Sequence, residues 1–208
     1  MSEEGLLEAA DAAGLSAGMT VLDLDAGTGG VAIFLAEELH VHVRGVVSAP
    51  GLLALARRRA AVSRAAGRVR FRSPEGFVEP GPYDLVCSLG AAARGPDGLP
   101  GGGARQLVGR PITRRGPLPP PVEEVFAPAA PARAGQVVWQ REATPLEVER
   151  FFAPQERALR VWKRRRKGAR SSEVAAQTSR EIETFRSYGS YVGWELSVRS
   201  PKRAAGPR

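Results

Sequence analysis

The segment Thr20-Val-Leu-Asp-Leu-Asp-Ala-Gly-Thr-Gly-Gly30 joins a short apolar run to a glycine-rich turn. A helical pattern of apolar residues follows it over residues 31–39. A turn between the carboxyl end of a strand and the start of a helix presents free backbone amides and the positive end of the helix dipole. In open α/β sheets, ligands bind at this edge. The segment therefore predicts a binding site at the first turn of an α/β domain.

The glycine spacing distinguishes this turn from two phosphate-binding loops. It is not the G-x-G-x-x-G spacing of a dinucleotide fingerprint, and no Lys follows as in a P-loop. A tight turn without a ligand, in any α/β protein, is the alternative interpretation of these residues.

Strand signals alternate with helix-length segments through the first half of the chain. A helix is predicted over residues 6–13, and another over residues 52–66. Strands are predicted over residues 20–24, 41–47, 69–72 and 83–89. Strands separated by helices favour parallel βαβ units with right-handed crossovers. The pattern predicts a Rossmann-like, doubly wound sheet.

The second half begins with an irregular segment, residues 95–133, which is rich in glycine and proline. One strand is predicted within it, over residues 104–109, and residues 117–121 are expected to be extended. A further strand is predicted over residues 136–140. Thr144, Pro145 and Glu147 form a capping box, so a helix is expected to begin at Pro145.

That helix opens a helical insertion over residues 144–188, which precedes a last strand over residues 191–198. The last two strands are expected to form a terminal β pair, which makes the sheet mostly parallel with an antiparallel last strand. Residues 1–200 are predicted to form a single domain, and residues 201–208 a basic tail.

Composition narrows the choice of compartment and partner. The chain has 208 residues, 30 Lys and Arg against 22 Asp and Glu, and one cysteine, Cys87. A lone cysteine and an acidic amino-terminal segment favour a cytoplasmic protein, with no membrane span expected. His40 and His42 have no third ligand nearby, so no metal site is predicted.

The glycine turn resembles motif I of class I S-adenosylmethionine-dependent methyltransferases, in which an acidic residue precedes three glycines at alternate positions. Asp23, Gly27 and Gly29 match this motif, and Asp25 stands where the first glycine is expected. Residues 45–50, 69–75, 83–90 and 106–109 resemble the ends of the next four strands in the family's order. The resemblance covers about residues 5–200, and the helical insertion is similar to that of small bacterial methyltransferases.

The resemblance implies S-adenosylmethionine as cofactor and a small-molecule methyl acceptor. It implies that Asp23, Gly27 and Glu75 position the cofactor and that Leu89 packs on its adenine. No catalytic residue is assigned. The complete set of implied cofactor-binding residues is Asp23, Asp25, Ala26, Gly27, Gly29, Val47, Ser48, Glu75, Gly76 and Leu89.

Two other functions compete with this interpretation. Val47 replaces the acid that holds the ribose in the family, and Asp25 replaces a glycine, which favours a catalytically impaired, methyltransferase-like binding module. The net charge of +8 and the basic run at residues 163–167 suggest an RNA-binding or RNA-modifying protein. A solvated helix end is the simpler interpretation of that run. The sequence does not distinguish a monomer from a dimer.

Overall fold

The computed structural model describes residues 2–76, 81–89, 104–126, 135–165 and 173–201. Six α-helices, one short 3₁₀ helix and seven strands follow each other along these residues. In chain order they are α1 (Glu3–Ala12), β1 (Thr20–Asp23), α2 (Gly30–Leu39), β2 (His42–Val46), α3 (Pro50–Ala61), β3 (Val69–Arg72), the 3₁₀ helix (Pro74–Gly76), β4 (Leu85–Ser88), β5 (Arg105–Thr113), α4 (Pro120–Phe126), β6 (Gln136–Ala143), α5 (Pro145–Arg165), α6 (Glu173–Tyr188) and β7 (Val192–Ser200).

The strands form one sheet in the order β3-β2-β1-β4-β5-β7-β6. The first five strands, β1 to β5, run parallel to one another. β7 runs antiparallel to both β5 and β6, between which it lies. The expected Rossmann-like sheet, mostly parallel with an antiparallel last strand, is confirmed. The chain direction places the carboxyl ends of β1 and β4 side by side, next to the glycine turn.

The prediction that residues 95–133 are irregular is partly wrong. β5 continues through Pro111 to Thr113, because its extension pairs with β7 and places Pro111 opposite Trp194. α4 begins at Pro120 and Pro121, which are expected to be extended, and continues to Phe126 through residues expected to be irregular. Its two prolines stand in the first turn, where no backbone N–H is needed, and it buries Val122 and Phe126. Residues 95–103 and 127–133 lie outside the described residues.

The helical insertion begins as the capping box predicts. The Thr144 N–H donates to Glu147 Oε2 at 2.8 Å, and the Glu147 N–H donates to Thr144 Oγ1 at 3.3 Å. α5 continues through Pro154, and α6 ends at Tyr188. The basic run at residues 163–167 extends past the described part of α5, and residues 202–208 of the basic tail also lie outside the described residues.

The buried side chains form two clusters of unequal size. The larger contains residues from α1 to α6 and from one face of the sheet, including Phe71, Phe152 and Trp194. The smaller consists of Leu22, Val46, Tyr83, Val86 and Ala104, with no residue from a helix. The glycine turn lies on the side of the larger cluster, because Asp23 shares a sheet face with Val21 and Cys87. Among the described residues, no helix combines the length and the apolar character that crossing a membrane requires.

Candidate functional site

The glycine turn links Asp23, the last residue of β1, to α2. Gly27 and Gly29 both have left-handed backbone conformations, with φ of 51° and 78°. At Gly29 a Cβ atom would lie 2.6 Å from Phe71 Cζ, so the turn packs directly on the β3 side chain. Only glycine satisfies both the left-handed conformation and this close approach.

Gly27 faces a different neighbour. A Cβ there would lie 4.0 Å from the Gln155 side chain of α5, which leaves room for an atom. The left-handed φ, rather than a clash, therefore favours glycine at this position. The glycine turn therefore packs against β3 on one side and faces α5 on the other.

A cavity of about 190 Å³ lies between the glycine turn and the helices α1 and α5. Its floor is the turn itself with Leu89, which follows β4. Its roof comes from α1 and α5. The floor consists of Asp23, Asp25, Ala26, Gly27, Thr28 and Leu89. The roof consists of Glu3, Leu6, Arg150, Phe151, Pro154 and Gln155. One side wall, from α2, consists of Gly30, Val31 and Phe34.

Asp23 is the most deeply buried acid of the floor, with 2% of its surface exposed. Its Oδ1 accepts a hydrogen bond from the Asp25 N–H at 3.3 Å, whereas its Oδ2 has no hydrogen-bond partner among the described residues. Burial away from water, together with the charge of Asp25, raises the Asp23 pKa to about 7. Burying a carboxyl without a hydrogen-bond partner costs free energy, so such a group favours the binding of a cationic ligand.

Asp25 lines the cavity and is partly exposed to solvent, and its removal from water by the surrounding protein raises its pKa. Glu181, on α6, is buried and accepts a hydrogen bond from Gln177 Nε2 at 3.0 Å. Burial is the main cause that raises the Glu181 pKa to about 7, and the charge of Asp25 adds to it. The charge of Asp25 therefore raises the pKa of both Asp23 and Glu181.

The structure brings only part of the implied cofactor set to the cavity. The set members in its wall are Asp23, Asp25, Ala26, Gly27 and Leu89. Gly29 lies behind the turn, against Phe71. Val47 is buried in the larger cluster, whereas Ser48 is exposed beside it. Glu75 and Gly76 end the 3₁₀ helix after β3, away from the cavity wall.

The roof residues are not part of the implied cofactor set, although the resemblance implies that the helical insertion caps the active site and leaves substrate contact by Phe151 as an alternative to core packing. Helical periodicity and the capping box predict α5, but they do not predict that Phe151, Pro154 and Gln155 face the glycine turn. α1 likewise places Glu3 and Leu6 over the cavity. Tertiary packing decides these positions, and the strong amphipathic pattern of α5 was the one available sign that a face of it is covered.

A polar cluster joins the two roof helices at their amino-terminal ends. Ser2 caps α1 by accepting a hydrogen bond from the Gly5 N–H at 3.1 Å, and the Ser2 hydroxyl donates to Glu147. Arg141, on β6, also donates to Glu147. These bonds lower the Glu147 pKa to about 2 despite its burial. α1 and α5 are thus held together over the floor.

Comparison with solved structures identifies the fold. No protein-family model and no curated protein matches the sequence. A SAM-dependent methyltransferase from Geobacter sulfurreducens, in complex with S-adenosyl-L-homocysteine, is similar over 97% of this chain and 92% of its own, with 22% identity and a TM-score of 0.68. A SAM-dependent methyltransferase from Thiobacillus denitrificans, in complex with the same compound, has 21% identity, the same coverage and a TM-score of 0.67.

YjhP from E. coli is similar over 97% of this chain and 94% of its own, with 20% identity and a TM-score of 0.70. These three likenesses extend over almost the whole length of each protein. The chain has the fold of class I SAM-dependent methyltransferases, as the resemblance of its sequence predicted.

Proposed function

We propose that this chain is a methyltransferase that uses S-adenosylmethionine and acts on a small-molecule acceptor. The observation that carries the proposal is the buried, unpaired Asp23 Oδ2 beside a left-handed glycine turn at the carboxyl edge of the sheet. Two solved proteins of the same fold contain S-adenosyl-L-homocysteine.

The residues of the turn fit the methionine end of this cofactor. Asp23 would bind its ammonium, because the cation satisfies an oxygen that has no other partner. Gly27 keeps a side chain out of the cavity, whereas Gly29 lets the turn pack closely on Phe71. The described cavity is smaller than the roughly 300–1,000 Å³ of typical small-molecule sites, and we therefore assign it to this end of the cofactor and to the acceptor.

The nucleoside end would lie toward β2 and β3. Glu75 would accept a hydrogen bond from the adenine amino group. Leu89 lies in the floor of the cavity on the β4 side, so it would contact the methionine end rather than the adenine. Val47 offers no carboxylate to the ribose, which removes a contact worth about 1.5–3 kcal/mol. Ser48 is the exposed polar residue that follows Val47, and its hydroxyl would replace part of the lost ribose contact.

The cofactor supplies an electrophilic methyl group on a sulfonium. The chain contributes alignment and exclusion of water, which matter more for such a displacement than acid–base catalysis does. The roof residues Leu6, Phe151 and Pro154 would cover the reacting groups with apolar surface. Asp23 would fix the methionine end so that the methyl group points into the cavity.

Calorimetric titration with S-adenosyl-L-homocysteine tests the proposal. We expect micromolar to submillimolar binding by the native chain and at least a 10-fold loss for Gly27→Val, whose side chain is strained at φ of 51°. Gly67→Val is the matched control, because no atom lies within 4 Å of its added Cβ. Absence of heat at millimolar ligand would refute the proposal.

A second candidate function is a binding module of this fold that no longer transfers methyl groups. The observation that favours it is Asp25, whose carboxyl occupies the cavity wall at a position where the family has glycine. Mass spectrometry of reactions with S-adenosylmethionine and a mixed set of amines, alcohols and thiols distinguishes the two. Binding without any methylated product would favour the module.

A further inference from the structure

Thr28, in the floor of the cavity, is held by a side chain that reaches it from another helix. Arg59, in the last turn of α3, donates from its Nη1 to the Thr28 carbonyl oxygen and to Thr28 Oγ1, both at 3.0 Å. Thr28 lines the cavity with 6% of its surface exposed, whereas the exposed Arg59 approaches it from outside the cavity. α3 therefore contacts the site through a residue of the glycine turn.

The bond to the carbonyl fixes a peptide group that the local sequence leaves free to turn. Gly27 and Gly29 flank Thr28, and glycine gives the backbone on either side several allowed orientations. The Gly29 N–H donates to the Ala26 carbonyl oxygen at 2.7 Å. In the planar peptide group that precedes Gly29, the N–H is thus held by Ala26 and the C=O by Arg59. Its orientation is therefore fixed from both ends.

The bond to Oγ1 directs the Thr28 hydroxyl. A hydroxyl has one proton to donate and two lone pairs that accept. Because Arg59 donates to a lone pair of Oγ1, the hydroxyl proton is left to be donated elsewhere. Hydrogen bonds in a chain polarise one another, so a hydroxyl that accepts from a guanidinium becomes a better donor. Thr28 is therefore suited to donate to an anion in the cavity.

The methionine end of the cofactor needs such a donor. It carries an ammonium and a carboxylate, and Asp23 accounts only for the ammonium. Asp23 and Asp25 both line the cavity, and their negative charges repel the carboxylate. The guanidinium of Arg59 is always protonated, so it places a positive charge directly behind Thr28.

We propose that the Thr28 hydroxyl binds the carboxylate of the cofactor's methionine end, and that Arg59 is the positioning residue that orients Thr28 and supplies the charge behind it. This inference rests on the proposed function. It adds to the site a hydroxyl that the acids and glycines of the turn do not provide. Arg150, a basic residue of the roof, is the competing partner for the carboxylate.

Two ligands that differ only in the carboxylate test this inference: S-adenosyl-L-homocysteine and its decarboxylated analogue, in which hydrogen replaces that group. Their dissociation constants are measured by calorimetric titration of the native chain and of each variant. We expect the native chain to bind S-adenosyl-L-homocysteine about 10-fold to 100-fold more tightly than the analogue, as hydrogen bonds to a charged group predict. The ratio of the two constants is the readout, because a general folding defect would weaken both ligands equally.

Variants locate the preference. Arg59→Gln and Thr28→Val should each reduce the ratio to about threefold or less, and the double variant should reduce it no further, because the two residues act as one unit. Thr28→Ser keeps the hydroxyl and should recover most of the ratio that Thr28→Val loses. Arg58→Gln is the matched control, because it removes an equal charge from an exposed position of the same helical turn.

The outcomes also separate this inference from the proposed function. If S-adenosyl-L-homocysteine binds and the native ratio is near one, the inference is wrong and the proposed function stands. A ratio that survives either Arg59→Gln or Thr28→Val also overturns the inference, and so does a ratio that only Arg150→Gln removes. If S-adenosyl-L-homocysteine does not bind, both are refuted.

Discussion

Asp23 in the floor of the cavity and Glu147 at the base of its roof are buried to a similar degree, with 2% and 7% of their surfaces exposed. Asp23 leaves one oxygen unpaired, and its pKa rises from 3.8 to about 7. Glu147 accepts hydrogen bonds from Ser2, Thr144 and Arg141, and its pKa falls from 4.5 to about 2.

Burial is the main cause of the raised Asp23 pKa, whereas at Glu147 hydrogen bonds and the charge of Arg141 outweigh burial. Hydrogen-bond partners compensate Glu147 completely, which makes it part of the scaffold that joins α1 to α5. The floor lacks such compensation, and its acids destabilise the folded chain until a ligand pairs with them. The contrast between floor and roof distinguishes a binding site from a structural ion cluster.

The largest expected effect comes from a substitution that changes the backbone of the glycine turn. Gly29→Ala places a Cβ against the Phe71 ring in a left-handed conformation. We expect a loss of about 3–5 kcal/mol in unfolding free energy, from backbone strain and overpacking together. Urea unfolding measures it, with Gly67→Ala as control. A loss below about 1 kcal/mol would show that the turn can move away from β3.

Asp23→Asn should have the opposite sign. The folded pKa of about 7 exceeds the unfolded value of 3.8, so Asp23 destabilises the fold increasingly as pH rises from about 4 to about 7. We expect the amide to stabilise the ligand-free chain by about 2–4 kcal/mol at pH 8 and by almost nothing at pH 4. Urea unfolding at both pH values checks this.

The same substitution should weaken S-adenosyl-L-homocysteine binding by at least about 10-fold, because an amide does not attract the ammonium as a carboxylate does. A variant that is more stable and binds less would demonstrate that the floor is built for a ligand. A variant that is less stable at pH 8 would show that Asp23 is a compensated structural group like Glu147.

Glu147→Gln should give the smallest effect, a destabilisation of about 1–2 kcal/mol at pH 7. Because the folded pKa is lowered, the contribution of Glu147 is present above pH 4.5 and disappears as pH falls toward 2. Thermal unfolding between pH 3 and 7 follows this loss, with the exposed Glu124→Gln as control. An effect that does not change with pH would indicate lost packing instead of lost charge.

The floor could be predicted from sequence because its residues are neighbours in the chain. The apolar run, the glycines and the following helical pattern specify a strand, a turn and a helix within residues 20–39. The serial order of the other strands then predicts which edge of the sheet the turn occupies. Asp23, Asp25, Gly27 and Leu89 were therefore correctly expected near one another, although their roles remain predictions.

The roof could not be predicted in the same way. Thr144 and Glu147 give the start of α5, but the direction of Phe151 and Gln155 depends on how α5 packs on β7 and α1. Trp194 decides part of this packing, since the ring centroids of Phe151 and Trp194 are 6.4 Å apart. α4 differs from the prediction for another reason: consecutive prolines favour extended chain, but the first turn of a helix tolerates them.

The bond between Ser2 and Glu147 joins residues that are 145 positions apart in the chain. During synthesis, α1 leaves the ribosome long before α5 exists to hold it. Contacts between such distant residues close late, because the intervening chain must first be ordered. We expect the acidic floor of the cavity to stay uncovered in nascent chains until the helical insertion has been synthesised. Ligand binding should therefore become possible only after most of the polypeptide has been translated.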